Sequence, residues 1–180
     1  MLVLVLAGCL PQQQQVKPQS AARAISPETQ QRYATALRLV KLGSDKASLP
    51  LFAKIKQDNK TLAGPYVNTG LIYLRQEQWD DAEKEFNQAL ERKPEHPVAL
   101  AMLGYLEKRK AEYTKARKHY EQALAVQPDY PEAQLNLGIL CDIYLQDLKC
   151  ALQHYQEYQR LNGKDEKVNN WVIDLKERMK

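Results

Sequence analysis

The sequence predicts an all-α fold, an α-α superhelix of about four helical hairpins closed by a C-terminal capping helix. Two observations predict it. Glycine is scarce, at seven of 180 residues, whereas Ala, Leu, Gln, Glu and Lys are plentiful, so intrinsic propensity favours helix nearly everywhere after Ser26. Glycines also recur at a constant interval, at Gly70, Gly104 and Gly138, and this spacing indicates repeated helical hairpins.

Small and aromatic residues recur in register with these glycines. An alanine follows each glycine after twelve or thirteen residues, and an aromatic residue follows that alanine after four. Small side chains allow the two helices of a hairpin to approach to about 8 Å, and the aromatic ring fills the gap between neighbouring hairpins. The alanines are Ala82, Ala116 and Ala151; the aromatic residues are Phe86, Tyr120 and Tyr155; Trp79 and Tyr113 occupy matching turn positions before the second helix.

The repeats divide the chain into four units, 29–62, 63–96, 97–130 and 131–163. Pro94 and Pro128 end second helices because proline lacks an amide hydrogen, while Pro97 and Pro131 suit a first helical turn. The first unit is degenerate. The fourth carries one extra residue, which we place near 145–149.

A capping helix is predicted at 164–180. Its apolar residues form one stripe at helical spacing, and such a helix covers the apolar face that the last hairpin would otherwise leave in water. We interpret Trp171 as a core residue of this stripe. The stripe consists of Val168, Trp171, Val172, Leu175 and Met179.

These residues, in this spacing, resemble tetratricopeptide repeats (TPRs) over roughly Pro27 to Lys180. The resemblance implies a TPR domain at 27–180, a solenoid whose concave groove is lined by the first helix of each repeat. It also implies a scaffold that holds a protein or peptide partner, and not an enzyme. The groove positions carried over from the family are Val67, Asn68, Leu71, Leu74 and Arg75; Ala101, Met102, Tyr105, Lys108 and Arg109; and Leu135, Asn136, Ile139, Asp142 and Ile143.

Asn68 and Asn136 occupy the same position of their repeats. A side-chain amide can donate to and accept from a peptide backbone, so the two residues suggest an asparagine ladder of the kind found in some TPR grooves. Met102 interrupts the ladder in the third repeat. The alternative is that both asparagines are polar surface residues.

Three cations, Arg75, Lys108 and Arg109, lie near the far end of the groove helices. Because an arginine can hold a carboxylate through two parallel hydrogen bonds, they favour a partner, either an extended peptide or a helix, that carries acidic and apolar side chains. A solvated basic face is the alternative. The net charge of +4 is too small to indicate nucleic acid, and none is expected as a partner.

The first residues are similar to a bacterial lipobox. Met1–Gly8 is apolar but far shorter than the roughly 20 residues of a spanning helix, and Leu6-Ala7-Gly8-Cys9 matches the motif in which the signal is cut before a cysteine that then carries lipid. The resemblance implies a signal peptide at 1–8, truncated because no basic segment precedes it, and a lipid-anchored Cys9. The alternative is an apolar terminus with a chance cysteine.

Leu10, rather than Asp, follows the cysteine. By the same resemblance, this implies that the protein is anchored at the periplasmic side of the outer membrane. Residues 9–26 then form a flexible linker rich in Gln and Pro, which would average about 20–25 Å end to end. The membrane contact is expected through the lipid anchor alone.

Cys141 and Cys150 lie on the first helix of the last repeat and at the start of its second helix. Hairpin geometry could bring them together, and an oxidising periplasm would permit a disulfide; two buried thiols are the alternative. Cys150 and His154 stand one helical turn apart, which is a metal-ligand spacing, and Cys141 could add a third ligand. No fourth ligand is evident, so no metal is predicted.

No catalytic or cofactor-binding motif is recognisable, so neither an enzyme nor a cofactor is predicted. The lipobox and the repeats together resemble small TPR lipoproteins of the Gram-negative envelope, including pilotins of type IV pili and proteins of TonB systems. We therefore predict a scaffold that binds a peptide segment or subunit of an envelope complex. The first alternative is a soluble cytoplasmic TPR adaptor or co-chaperone; the second is an enzyme subunit with a site near Cys150 and His154.

Overall fold

The computed structural model describes residues 25–180, and these residues contain helices and turns but no strand. The candidate lipidation site Cys9, the predicted signal peptide and nearly all of the predicted linker lie outside the described residues.

Four pairs of helices and a single closing helix make up the described part of the chain. Each helix packs mainly against the other helix of its pair and then against the next pair, so the predicted all-α solenoid is confirmed. The pairs are α1 (Pro27–Lys41) with α2 (Asp45–Asp58), α3 (Gly64–Arg75) with α4 (Trp79–Arg92), α5 (Pro97–Arg109) with α6 (Tyr113–Val126), and α7 (Pro131–Ile139) with α8 (Leu148–Asn162); α9 (Glu166–Arg178) closes the array.

The recurring glycines lie directly against the recurring aromatic rings. A Cβ atom built on Gly70 would stand 2.7 Å from the ring of Phe86, one on Gly104 would stand 3.1 Å from Tyr120, and one on Gly138 would stand 2.6 Å from Tyr155. All three rings are at most 1% exposed. The degenerate first repeat forms the same kind of hairpin, with Ala36 and Phe52 buried at the corresponding positions.

The turn inside each hairpin contains one residue in the left-handed conformation, at Gly43, Glu77, Ala111 and Gln146. In the first three repeats the next amide donates to a carbonyl five residues earlier, as from Gln78 N to Tyr73 O at 2.9 Å. This is the bonding pattern of a Schellman motif, which satisfies the last carbonyls of a helix.

The fourth turn corrects the predicted place of the extra residue. Here Asp147 N donates to Cys141 O, six residues earlier, at 2.9 Å. The extra residue is taken up before the turn, where α7 continues as a π-helical turn, Leu140–Tyr144, in which Leu145 N donates to Leu140 O. A π turn absorbs a single inserted residue without ending the helix, so 145–149 keeps the turn geometry of the other repeats.

The closing helix α9 covers the last hairpin with Val168, Val172 and Leu175, all at most 6% exposed. Trp171 is half-buried, and its ring lies 5.4 Å from that of Tyr155. Met179, which the apolar stripe included, is 40% exposed because it caps the end of α9 and lies past the packed surface. Among the helices described, none combines the length and the hydropathy that crossing a membrane requires.

Candidate functional site

A cavity of about 400 Å³ lies between α3, α5 and α7, the first helices of three successive repeats. It brings together six of the residues predicted to line the groove, and it adds Trp79 from the start of α4. Its walls are formed by Leu71, Leu74, Arg75, Trp79, Met102, Tyr105 and Asn136.

Arg75 is already bound within the fold. Its guanidinium donates to both carboxylate oxygens of Asp45, at 2.5 and 3.2 Å. Asp45 begins α2, and Arg75 ends α3 of the following repeat. Arg75 therefore makes an inter-repeat contact, and it could hold a partner's carboxylate only by sharing or leaving Asp45.

The residues that correspond to Asp45 and Arg75 also contact each other in the next two repeats, but through aromatic rings. The Arg109 guanidinium stacks 3.8 Å from the centre of the Trp79 ring, and Tyr144 packs against Tyr113 with ring centres 4.7 Å apart. Trp79 was missed as a wall residue because its recurrence with Tyr113 was interpreted only as a turn signal. The stacking on Trp79 holds the Arg109 guanidinium at the edge of the cavity.

Lys108 lies beside the cavity and, like Arg109, forms no ion pair within the part of the chain that the structure describes. It is half-buried, and its ammonium lies 5.4 Å from the ring centre of Tyr105, which is a wall residue. Burial lowers the pKa of Lys108, and no carboxylate among the described residues forms an ion pair with it. A carboxylate brought by a ligand would compensate this desolvated charge.

The two asparagines of the predicted ladder are used inside the fold to different extents. Asn68 donates both of its amide hydrogens, to Tyr33 Oη at 2.9 Å and to Gly64 O at 2.8 Å. Asn136 donates one, to Glu132 O at 2.7 Å. Asn68 therefore cannot donate to a peptide backbone without losing an existing bond.

The remaining predicted groove residues divide between the core and the surface. Val67 and Ala101 are at most 5% exposed and belong to the core, so they offer little surface to a ligand. Leu135 and Ile139 are half-buried beside the C-terminal core. Asp142 is buried and accepts from Arg178 Nη1 at 2.8 Å, whereas Ile143 is 62% exposed.

A second cavity, of about 330 Å³, lies between α1 and the beginning of α3. It was missed from the sequence because the first repeat is degenerate, although Leu37 stands one full repeat before Leu71. Its walls are almost wholly apolar and include Ile25, Tyr33, Ala34, Leu37, Leu62 and Pro65.

Cys141 and Cys150 are joined by a disulfide, with sulfur atoms 2.03 Å and Cα atoms 5.8 Å apart. The bond uses both thiols, so neither can act as a nucleophile or a metal ligand. His154 is held by Gln134, with Nδ1 2.6 Å from Oε1, and burial lowers the pKa of His154. Within residues 25–180 no three His, Cys, Asp or Glu side chains are placed to hold a metal ion.

Two models of the family described as tetratricopeptide repeat match the sequence, at residues 61–129 and 101–166. Together they span more than half of the chain. No curated protein matches the sequence significantly.

Many solved structures share the fold. MamA from residue 41 onward, of Desulfovibrio magneticus RS-1, is 19% identical with a TM-score of 0.71, covering 87% of this chain and 88% of its own. PilF of Pseudomonas aeruginosa is 17% identical with a TM-score of 0.72, covering 84% and 69%. The first TPR of Spaghetti (RPAP3), bound to the HSP90 peptide SRMEEVD, is 20% identical with a TM-score of 0.60, covering 65% and 92%. At these identities the likeness shows the fold alone.

Proposed function

Because this chain belongs to the tetratricopeptide repeat family, we propose that it is a protein-interaction scaffold that binds a polypeptide segment in the groove between α3, α5 and α7. The observation that carries the proposal is a largely apolar cavity of about 400 Å³ beside the half-buried cation Lys108, which forms no ion pair within residues 25–180. Clefts that hold ligands commonly combine apolar walls with a few polar groups that fix orientation. The first TPR of RPAP3, which has a similar fold, has been solved with an HSP90 peptide bound.

The proposed partner segment carries apolar side chains and at least one carboxylate. Leu71, Leu74 and Met102 offer apolar surface, and burying one Leu-sized side chain against them contributes about 1.5–3 kcal/mol. Lys108 and Arg109 supply positive charge at the rim. A carboxylate near Lys108 forms a charge-assisted hydrogen bond in a partly desolvated place, where such bonds are stronger than in water.

Lys108→Glu is expected to weaken binding of a groove ligand by about tenfold or more, because it replaces attraction to a carboxylate with repulsion. The probes are 20-residue peptides selected on the wild-type protein from a displayed random library, and titration calorimetry measures their affinity. Lys118→Glu is the matched control, since Lys118 is exposed on α6 and the charge change is identical. Equal affinity of both variants for every selected peptide would remove the groove from the proposal.

The scaffold is proposed to act at the periplasmic side of the outer membrane, held there by a lipid on Cys9. The support is the match of Leu6-Ala7-Gly8-Cys9 to a lipobox, and a disulfide in the last repeat is compatible with an oxidising compartment. In this arrangement the groove holds a segment or subunit of an envelope complex, such as one that assembles pili or transduces energy.

Intact-mass spectrometry of protein extracted from membranes is expected to show Cys9 as the N-terminal residue, carrying acyl chains. Cys9→Ser is expected to move the protein into the soluble fraction, since covalent lipid supplies the membrane affinity. A mature protein that retains residues 1–8 without lipid would contradict the anchor. It would favour the alternative, a soluble cytoplasmic adaptor that uses the same groove.

A further inference from the structure

An extended peptide in a groove needs partners for its own backbone, because buried N–H and C=O groups left unpaired cost free energy. The groove helices satisfy their backbones internally, so side chains would have to serve, and amides suit this best because they both donate and accept. The row that could supply them contains Ala34, Asn68, Met102 and Asn136, one from each repeat. Asn68 has used both of its amide hydrogens and Asn136 one, and the other two side chains are apolar.

A row of apolar side chains runs along the same inner helices. Leu37, Leu71, Tyr105 and Ile139 follow one another at the repeat interval, one in each hairpin. Leu37 is 39% exposed and the other three are half-buried. Leu71 and Tyr105 line the central cavity, and Leu37 lines the cavity between α1 and α3.

The length of this apolar row fits a helix of moderate size. Packed helices lie about 8–10 Å apart, and the groove helices of successive repeats make fewer contacts than the directly packed pairs, so the three intervals between Leu37 and Ile139 extend over at least about 25–30 Å. An α-helix rises 1.5 Å per residue and covers that distance in roughly 17–20 residues. It also pairs its own backbone groups, which the groove does not do.

Charge lies to one side of the apolar row. Lys108 has no ion-pair partner within the described residues, and Arg109 is held at the rim by stacking on Trp79. Acidic residues along one flank of a bound helix would face these two cations. The first-repeat part of the groove, around Leu37 and Leu62, is largely apolar.

We infer that the groove binds an amphipathic α-helix of a partner protein, with its apolar face on the row Leu37, Leu71, Tyr105 and Ile139 and an acidic flank beside Lys108 and Arg109. The inference rests on the proposed function and specifies the ligand of that same groove.

The peptides selected from the displayed random library test it directly. Their apolar residues are expected at spacings of i, i+3, i+4 and i+7, and circular dichroism is expected to show helix gained on binding. A central proline should weaken binding by at least fiftyfold, because it breaks a helix interior, while an i, i+4 lactam bridge should tighten it severalfold. Leu37→Glu should weaken binding about tenfold, and Leu42→Glu, at a 71% exposed turn position, should leave it unchanged.

The outcomes separate the two proposals. Selected peptides whose apolar residues alternate, or that tolerate the central proline, would overturn the bound helix. If their affinity still depended on Lys108, the groove would remain the binding site. If Leu37→Glu bound the peptides with full affinity, the bound helix would not extend along the apolar row as far as Leu37. Failure to select any peptide, or indifference to both Lys108→Glu and Leu37→Glu, would overturn the proposed function together with the helix.

Discussion

Gly138→Ala is expected to lower the free energy of unfolding by about 2 kcal/mol. The new Cβ would stand 2.6 and 2.7 Å from two atoms of the Tyr155 ring, which is 1% exposed and held in the core. Forcing extra volume into a packed core costs about 1–3 kcal/mol, and the better helix propensity of alanine returns at most about 1 kcal/mol. Urea unfolding followed by circular dichroism measures the change.

Gly104→Ala is the matched control, because the substitution and its helix propensity are the same. Its Cβ would meet the Tyr120 ring and the carbonyl of Ala116 at 3.1 Å, contacts that a small shift can relieve. The net change there is expected to be under about 1 kcal/mol. Gly70→Ala, with Phe86 at 2.7 Å, should resemble Gly138→Ala.

A double-mutant cycle identifies the ring as the cause. Tyr155→Val removes Cδ1 and Cε1, the two ring atoms that the Gly138→Ala methyl would meet most closely, so the two changes together should cost at least about 1 kcal/mol less than their sum. Strict additivity, or a Gly138→Ala protein as stable as the wild type, would show that the glycine is not needed for the close approach.

Removing the disulfide by the double substitution Cys141→Ala and Cys150→Ala is expected to lower the free energy of unfolding by about 2–3 kcal/mol. The two cysteines are separated by nine residues, and closing a loop of that size restricts the unfolded chain by about this amount. Part of the cost comes from the lost packing of Cys141, which is fully buried. Urea unfolding of both proteins measures the difference.

The wild type in reductant provides the control, because it loses the cross-link and keeps both side chains. Its unfolding midpoint should fall toward that of the double alanine variant. Thiol counts on denatured protein should rise by two on reduction, whatever the state of Cys9. Equal counts, or a midpoint that reductant does not move, would rule the bond out in solution.

The contacts inside a hairpin were predictable because they recur at fixed distances along the chain. Gly104 and Tyr120 have the same separation in sequence as Gly70 and Phe86, and both pairs are in contact. A repeat array buries its core mainly within a unit and between neighbours. The pattern of small and aromatic residues therefore indicated the all-α class and the hairpins, while the apolar stripe after residue 164 indicated the closing helix.

The first repeat and the insertion show where the pattern lost information. Leu37 and Tyr33 line a cavity, but the sequence around them had drifted too far to assign them to the groove. The sequence showed that the fourth repeat has an extra residue. It could not show whether the hairpin turn or a π-helical turn accommodates that residue. The π-helical bond from Leu145 N to Leu140 O distinguishes the two places.

By itself, the sequence determined the period of the repeats and the hairpins. The tertiary structure alone decided which groove side chains remain free. Arg75 is bound by Asp45 and Asn68 by Tyr33, one repeat away in each case, whereas Lys108 finds no such partner among the described residues. The physical reason is that these pairings depend on how neighbouring hairpins stack, and a repeating pattern specifies the stacked positions without specifying which side chains meet there.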